Sequence, residues 1–324
     1  MSPLEAKLRR RIAEHGPISV ADYMAEANAH YYATRDPFGT EGDFTTAPEI
    51  SQMFGELVGI WLADLWMRAG RPEGARYIEL GPGRGTLAED ALRAMGGTGF
   101  APPVELVETS PVLRRGQAER VSACWHDGPS TLPTEGPLFI VANEFFDALP
   151  VHQFDSRGEE LMIRLDGDKF VRDGEVMTET SPASLAIAGD LARRIARQSG
   201  AALIVDYGPV GQGAGDTLQS LSNHQYADPF AAPGERDLTA HVDFEALGEA
   251  ARAEGVRVFG PVEQGAWLKA MGIDLRAVSL AKAAPERAAE IMADRDRLAA
   301  ADQMGRLFKV MALVAPDWPE PAGF

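Results

Sequence analysis

Apolar positions in the first fifth of the chain recur at helical spacing, and from about residue 76 the pattern changes to short apolar runs alternating with amphipathic stretches. Leu4, Leu8 and Ile12 share one face of a first helix that Gly16-Pro17 ends. Ser19 with Asp22 resembles a capping box opening a second helix through Tyr23 and Met24, and a polar, glycine-containing loop runs over 30–45. Thr46 and Glu49 form a further box, after which Ile50, Phe54, Leu57, Trp61 and Leu65 predict one long helix. Strands are predicted near 76–80, 103–107, 120–125, 138–142 and 202–206, with helices near 86–95, 110–119 and 184–198. That alternation is the pattern of a doubly wound, mainly parallel α/β sheet.

Between the fourth and fifth strands, residues 151–180 alternate in polarity with Gly158 and Gly167 at turn positions, which predicts a small antiparallel insertion. Residues 209–240 are rich in Gly, Pro, Asp and Asn without periodicity and read as a long functional loop. Helices follow near 243–254, 264–271 and 276–302, then a last strand over 307–313 and a loosely attached, proline-rich tail. The division is an N-terminal helical region over 1–70, one large domain over 71–315 and the tail over 316–324.

The chemistry concentrates at strand ends. Tyr77-Ile-Glu-Leu-Gly-Pro-Gly-Arg-Gly85 is a strand ending in Glu79 and then in Gly81, Gly83 and Gly85, a turn through which backbone can come close to a ligand. A dinucleotide fingerprint would put its third glycine at 86, where this chain has Thr86, and needs no acid before the turn. Both differences favour S-adenosylmethionine (SAM) over NAD. Glu79 would receive the cationic methionine end, and Glu108, ending the next strand, would accept from two ribose hydroxyls. Asp127, after the third strand, is read either as an acceptor for the adenine amine or as a turn former. Asn143, at the end of the fourth strand, completes the cofactor set.

Glu144 and Asp147 follow Asn143 and would face the transferred methyl group, with Phe145 and Phe146 excluding water. Two carboxylates can hold a guanidinium by paired hydrogen bonds. The competing reading of this stretch is a helix start, with an acid favoured by the dipole and the phenylalanines in the core. Asp206 closes the fifth strand at the same edge. His241, among acids at the end of the long loop, either relays a proton or orients the loop.

Composition narrows the partners. The 324 residues carry a formal charge of -17, which argues against a broad nucleic-acid or anionic-membrane footprint and suits a basic target. A single cysteine, Cys124, points to a reducing compartment, and the six histidines show no metal spacing. No apolar run approaches the roughly 20 residues needed to span a bilayer. The first residues lack a signal-peptide core, although Arg9, Arg10 and Arg11 leave an organelle-targeting reading open.

These residues resemble the mitochondrial complex I assembly factor methyltransferases and their bacterial relatives, the MidA-like family. The likeness runs through Tyr31-Tyr32, Asp36-Pro-Phe-Gly39, Gly42 to Ser51, Phe54-Gly-Glu56, Glu79 to Leu87, Val107 to Pro111, Asn143 to Phe154, Asp206-Tyr-Gly208 and Asp237 to Phe244. The resemblance implies a seven-stranded, Rossmann-like class I fold using SAM. For the mitochondrial member it also implies arginine dimethylation of a complex I core subunit. It departs from ordinary arginine methyltransferases, whose two glutamates lie in one long loop, in having Asp147 only three residues after Glu144. The expected function is protein arginine methylation in the bacterial cytoplasm or mitochondrial matrix. Small-molecule methylation and a non-catalytic, SAM-binding assembly chaperone are the alternatives.

Overall fold

The computed structural model describes residues 1–34, 46–211, 215–222 and 225–324, so most of the polar segment over 30–45 and parts of the 209–240 loop lie outside the described residues. The seven main-sheet strands are β1 (Arg76–Leu80), β2 (Val104–Val107), β3 (Cys124–His126), β4 (Leu138–Asn143), β5 (Gly200–Tyr207), β6 (Arg257–Glu263) and β7 (Phe308–Val314). Their order is β6-β7-β5-β4-β1-β2-β3, with β7 antiparallel to both neighbours and the rest of the pairs parallel. β1, β4 and β5 are buried almost throughout, as strands covered on both faces must be.

One face is covered by α4 (Gln52–Arg68), α5 (Thr86–Gly96), α9 (Gln264–Ala270), α10 (Ile273–Ala283) and α11 (Ala288–Ala299), which pack Trp61, Leu87, Trp267 and Leu298 against Phe139 and Leu203. α4 and α5 lie so close that a Cβ on Gly59 would stand 2.4 Å from the Ala91 carbonyl oxygen. The buried Glu56 accepts from Arg93 (2.7 Å) and Arg276 (2.6 Å), tying α4 to α5 and α10. The other face takes α7 (Pro182–Gln198) and α8 (Phe244–Ala253). A third core joins α1 (Pro3–His15) and α2 (Val20–Thr34) to the antiparallel hairpin Met162–Asp166/Lys169–Arg172 and to Leu218 and Leu238.

Several expectations are corrected. The predicted helix through 46–65 breaks at Ser51, whose extended backbone separates a single turn, α3 (Ala47–Ile50), from α4. Thr46 makes no side-chain cap; Glu49 instead accepts from the Thr86 hydroxyl at 2.5 Å. The helix over 276–302 is two helices, because Pro285 cannot continue α10. β6 went unpredicted: Gly260-Pro261 interrupts its pattern, and the pairing with β7 shifts register between Phe259 and Val262 to absorb them, as an edge strand can. The 209–240 segment contains a small sheet, Gln219–Ser222 between Gln225–Ala227 and Leu238–Thr239. Nor is the tail loose. Trp318 packs its ring 5.3 Å from that of Phe139, and the Ala322 carbonyl accepts from the buried Trp61 indole at 3.0 Å. Among the described residues no helix is long and apolar enough to cross a membrane.

Candidate active site

Gly81, Gly83 and Gly85 adopt φ values of +60, +54 and +82, conformations that glycine reaches without strain, and α5 begins directly after them. The turn brings backbone into the open between β1 and β4. Glu79 is buried beneath it, with one oxygen accepting from the Tyr77 hydroxyl at 2.6 Å. Burial pushes this carboxyl up to about 8, although the Tyr77 hydrogen bond works in the opposite direction. A cationic group arriving here would restore the carboxylate. Glu79, the glycine turn, Glu49, Arg84 and Glu144 border a recess of about 40 Å³.

At the end of β2, Glu108 accepts from the Ser110 amide (2.7 Å) and from the Gln117 side chain (3.3 Å). Burial raises its proton affinity, opposed by the Ser110 amide. Gln117, on α6 (Pro111–Arg120), also donates to the Gly83 carbonyl (2.7 Å) and accepts from the Trp125 indole (2.8 Å). One amide side chain therefore holds the glycine turn, the acid of β2 and β3 in register. Sequence reasoning missed it; the one available signal was a glutamine whose face must be buried against the glycine turn. Asp127 pairs with Arg114 at 2.5 Å and is itself 85% exposed. Gly81, Gly83, Glu108, Asp127, Glu144 and Phe145 all line a single cavity of about 670 Å³, a size suited to a cofactor-scale ligand.

The third component is the turn after β4. Glu144 has φ +49, a strained value for a non-glycine residue. What holds it there is Asp206 at the end of β5: its Oδ2 accepts from the amides of Phe145 (3.2 Å), Phe146 (2.9 Å) and Asp147 (3.3 Å), and its Oδ1 from Tyr207 (2.9 Å). Three successive amides wrapped on one carboxylate form an anion nest. The turn is thus not the helix start of the competing reading. Glu144 Oε1 accepts from the Ala47 amide and the Asn143 side chain, both at 3.2 Å. Burial, then the neighbouring Asp147, raises Glu144 to about 8, and burial raises Asp147 to about 7. Asp147 Oδ1 is buried with no hydrogen-bond partner among the described residues.

Phe145 and Phe146 meet edge to face at 5.3 Å and line different cavities. Phe145 lines the large cavity, whereas Phe146 lines one of about 90 Å³ shared with Val151, Ser184 and His241. His241 is exposed, its amide bound to the Thr217 hydroxyl and its ring against Tyr207. The structure therefore brings Glu79, Gly81, Gly83, Glu108, Asp127, Asn143 and Glu144 around two adjoining recesses, puts Gly85 at the start of α5 and on neither recess, seats Asp147 in the turn that Asp206 anchors from β5, and places His241 at a separate cavity. Asn28 and Tyr32 of α2 also line the large cavity. Among the described residues no group of His, Cys, Asp and Glu side chains could hold a metal ion.

Residues 57–262 match the profile of a family described as S-adenosyl-L-methionine-dependent methyltransferases. Similar curated proteins include the protein arginine methyltransferase NDUFAF7 homolog, mitochondrial, of Drosophila melanogaster, 37% identical with 96% of this chain and 84% of that protein covered. The protein arginine methyltransferase NDUFAF7, mitochondrial, of Homo sapiens is 33% identical, covering 97% and 84% respectively. A COG1565 superfamily member from Burkholderia thailandensis, solved bound to S-adenosyl-homocysteine, superimposes with a TM-score of 0.84 at 28% identity over 96% of this chain and 91% of that one. The chain belongs to this SAM-dependent methyltransferase family, has the class I fold and uses SAM.

Proposed function

We propose, from this family membership, that the protein methylates arginine in a protein substrate, a subunit of respiratory complex I, and thereby serves assembly of that complex. The names of the similar proteins support arginine as the acceptor. The observation that carries the reading is the buried acid turn: Glu144 and Asp147 stand close to the cofactor cavity, raised to about 8 and 7, with one Asp147 oxygen unpartnered. A guanidinium supplies the positive charge and the planar donors that such a pair lacks. The mitochondrial wording of those names supports the mitochondrial rather than the cytoplasmic setting.

SAM supplies an electrophilic methyl group on a sulfonium. Glu79 would hold the cationic end of the cofactor, Glu108 would accept from its ribose hydroxyls, and Asp127 with Asn143 would complete the cradle. Glu144, ionised once a guanidinium pairs with it, would orient that group toward the cofactor cavity, and a carboxylate of the turn would accept the proton that the methylated nitrogen gives up. Asp206 acts by positioning: its bonds to the amides of Phe145, Phe146 and Asp147 hold Glu144 in its strained conformation.

The test is methyl transfer from labelled SAM to basic peptides and isolated complex I subunits, with mass spectrometry of those subunits from cells with and without the gene. An arginine mark lost on deletion supports the reading. Methylation of a small molecule instead, or cofactor binding with no acceptor methylated, would replace it with the small-molecule or chaperone alternative.

A further inference from the structure

Helix α2 is docked through one fully engaged amide. Asn28 is 6% exposed; its Nδ2 donates to the carbonyls of Ala148 (3.0 Å) and Leu238 (2.8 Å), and its Oδ1 accepts from the Leu238 amide (3.0 Å). A single side chain thus joins α2, the end of the acid turn and the strand Leu238–Thr239. One helical turn further along, the Tyr32 hydroxyl donates to Asp237 at 2.7 Å, next to Leu238. The Ala240 amide in turn donates to the Asp147 carbonyl at 2.9 Å. Asn28 and Tyr32 line the large cavity together with Glu144 and Phe145. Burying an asparagine costs little only where all its bonds are made, so the three bonds select one docked position for α2.

We propose that Asn28 is the positioning residue that seats α2 on the acid turn, and that α2 so seated, with Tyr32 as its inner face, keeps water from Glu144 and Asp147. The proposal assigns the N-terminal helical region a part in the methyl-transfer site and rests on the functional reading above. Among the described residues, the titratable groups facing the two acids are Tyr32 on α2, Asp206 with Tyr207 on β5, each other and, around the small recess beside Glu144, Glu49, Glu79 and Arg84; Asp237 stands against Tyr32. Burial is the largest cause raising both acids, and α2 contributes one wall of the cavity that Glu144 borders. Water admitted beside them lowers both.

The experiment is a pH titration of the side-chain carboxyls by carbon-13 NMR on the full chain, with resonances assigned through Glu144→Gln and Asp147→Asn. It needs no acceptor. In the unmodified protein the two groups should titrate near 8 and 7. In Asn28→Ala both should move down by about one pH unit or more, and the pH profile of methyl transfer should move with them. Tyr32→Ala, which leaves the Asn28 bonds in place, should shift them in the same direction and decides the matter if Asn28→Ala does not fold. Unchanged titration in a folded variant overturns the proposal, since a merely structural asparagine would lower the melting temperature alone. Shifted titration without any arginine methylated leaves α2 its role and removes the functional reading.

Discussion

The glycine turn after β1 and the acid turn after β4 are neighbours, since a Cβ on Gly81 would lie 3.1 Å from the Phe145 ring, yet they are held by different means. The glycine turn is shaped by its own backbone, with three positive φ values in five residues and α5 starting at once, and Gln117 only fixes it against β2 and β3. The acid turn contains no glycine and takes a positive φ at Glu144 because Asp206, about sixty residues on, gathers its amides. The first is shaped before any ligand or partner is considered. The second exists only while β5 lies beside β4, and its acids keep their protons only while distant segments cover them. Cofactor binding and acceptor chemistry should therefore fail separately.

The largest effect expected on that separation is at Gly83. A valine there meets φ +54, costing about 1–3 kcal/mol of strain, and its branches enter the cavity. Stabilisation by S-adenosylhomocysteine in thermal melts should vanish; a normal melting shift would show that the glycine turn is not where the cofactor lies. Next comes Asp206→Asn, which removes charge from bonds to four amides and should cost about 3 kcal/mol of stability in urea, with S-adenosylhomocysteine affinity nearly preserved. If cofactor affinity fell in parallel, the two turns would be one unit.

Glu144→Gln keeps shape and removes a charge-assisted bond to the acceptor. The expected loss is about 1.5–3 kcal/mol, or roughly 10- to 150-fold in kcat/KM, with cofactor binding unaltered and Asp147→Asn showing a smaller loss. An unmodified rate on an identified arginine substrate would remove Glu144 from the chemistry. The smallest signal is a proton count. Because burial raises Glu79 from the ordinary 4.5 to about 8, its penalty on folding is absent below about pH 4.5, grows through that window and is complete above about 8. Binding a cation against it at pH 7 should expel up to about one proton, seen by calorimetry in buffers of differing ionisation enthalpy. No difference between the unmodified protein and Glu79→Gln would place the methionine end elsewhere.

Much of the sheet could be read from short apolar runs between helical stretches, and six of its seven strands lie near their expected positions, β6 being the exception. β6 escaped because Gly260-Pro261 breaks its alternation while the shifted register with β7 absorbs the break. The packed tail escaped for a related reason. Three prolines say that a segment is not helical, but they do not say that Trp318 finds Phe139. Gln117 and Asn28 are legible only as polar residues on helices; what makes them matter is the partners at the ends of their bonds.

By itself the sequence determined the alternation that builds the sheet, the glycine turn with its preceding acid, and the acids that end β2 and β4. These depend on backbone preferences and polarity within a few consecutive residues, where local sterics suffice. Tertiary structure alone decided that Asp206 serves the turn as an anchor, that His241 lies at another cavity, that α2 roofs the site, and that Glu79, Glu144 and Asp147 hold protons to unusually high pH. Those properties belong to burial and to hydrogen bonds spanning as many as 210 residues, and a carboxyl's proton affinity is set by whatever excludes water from it, wherever in the chain that lies.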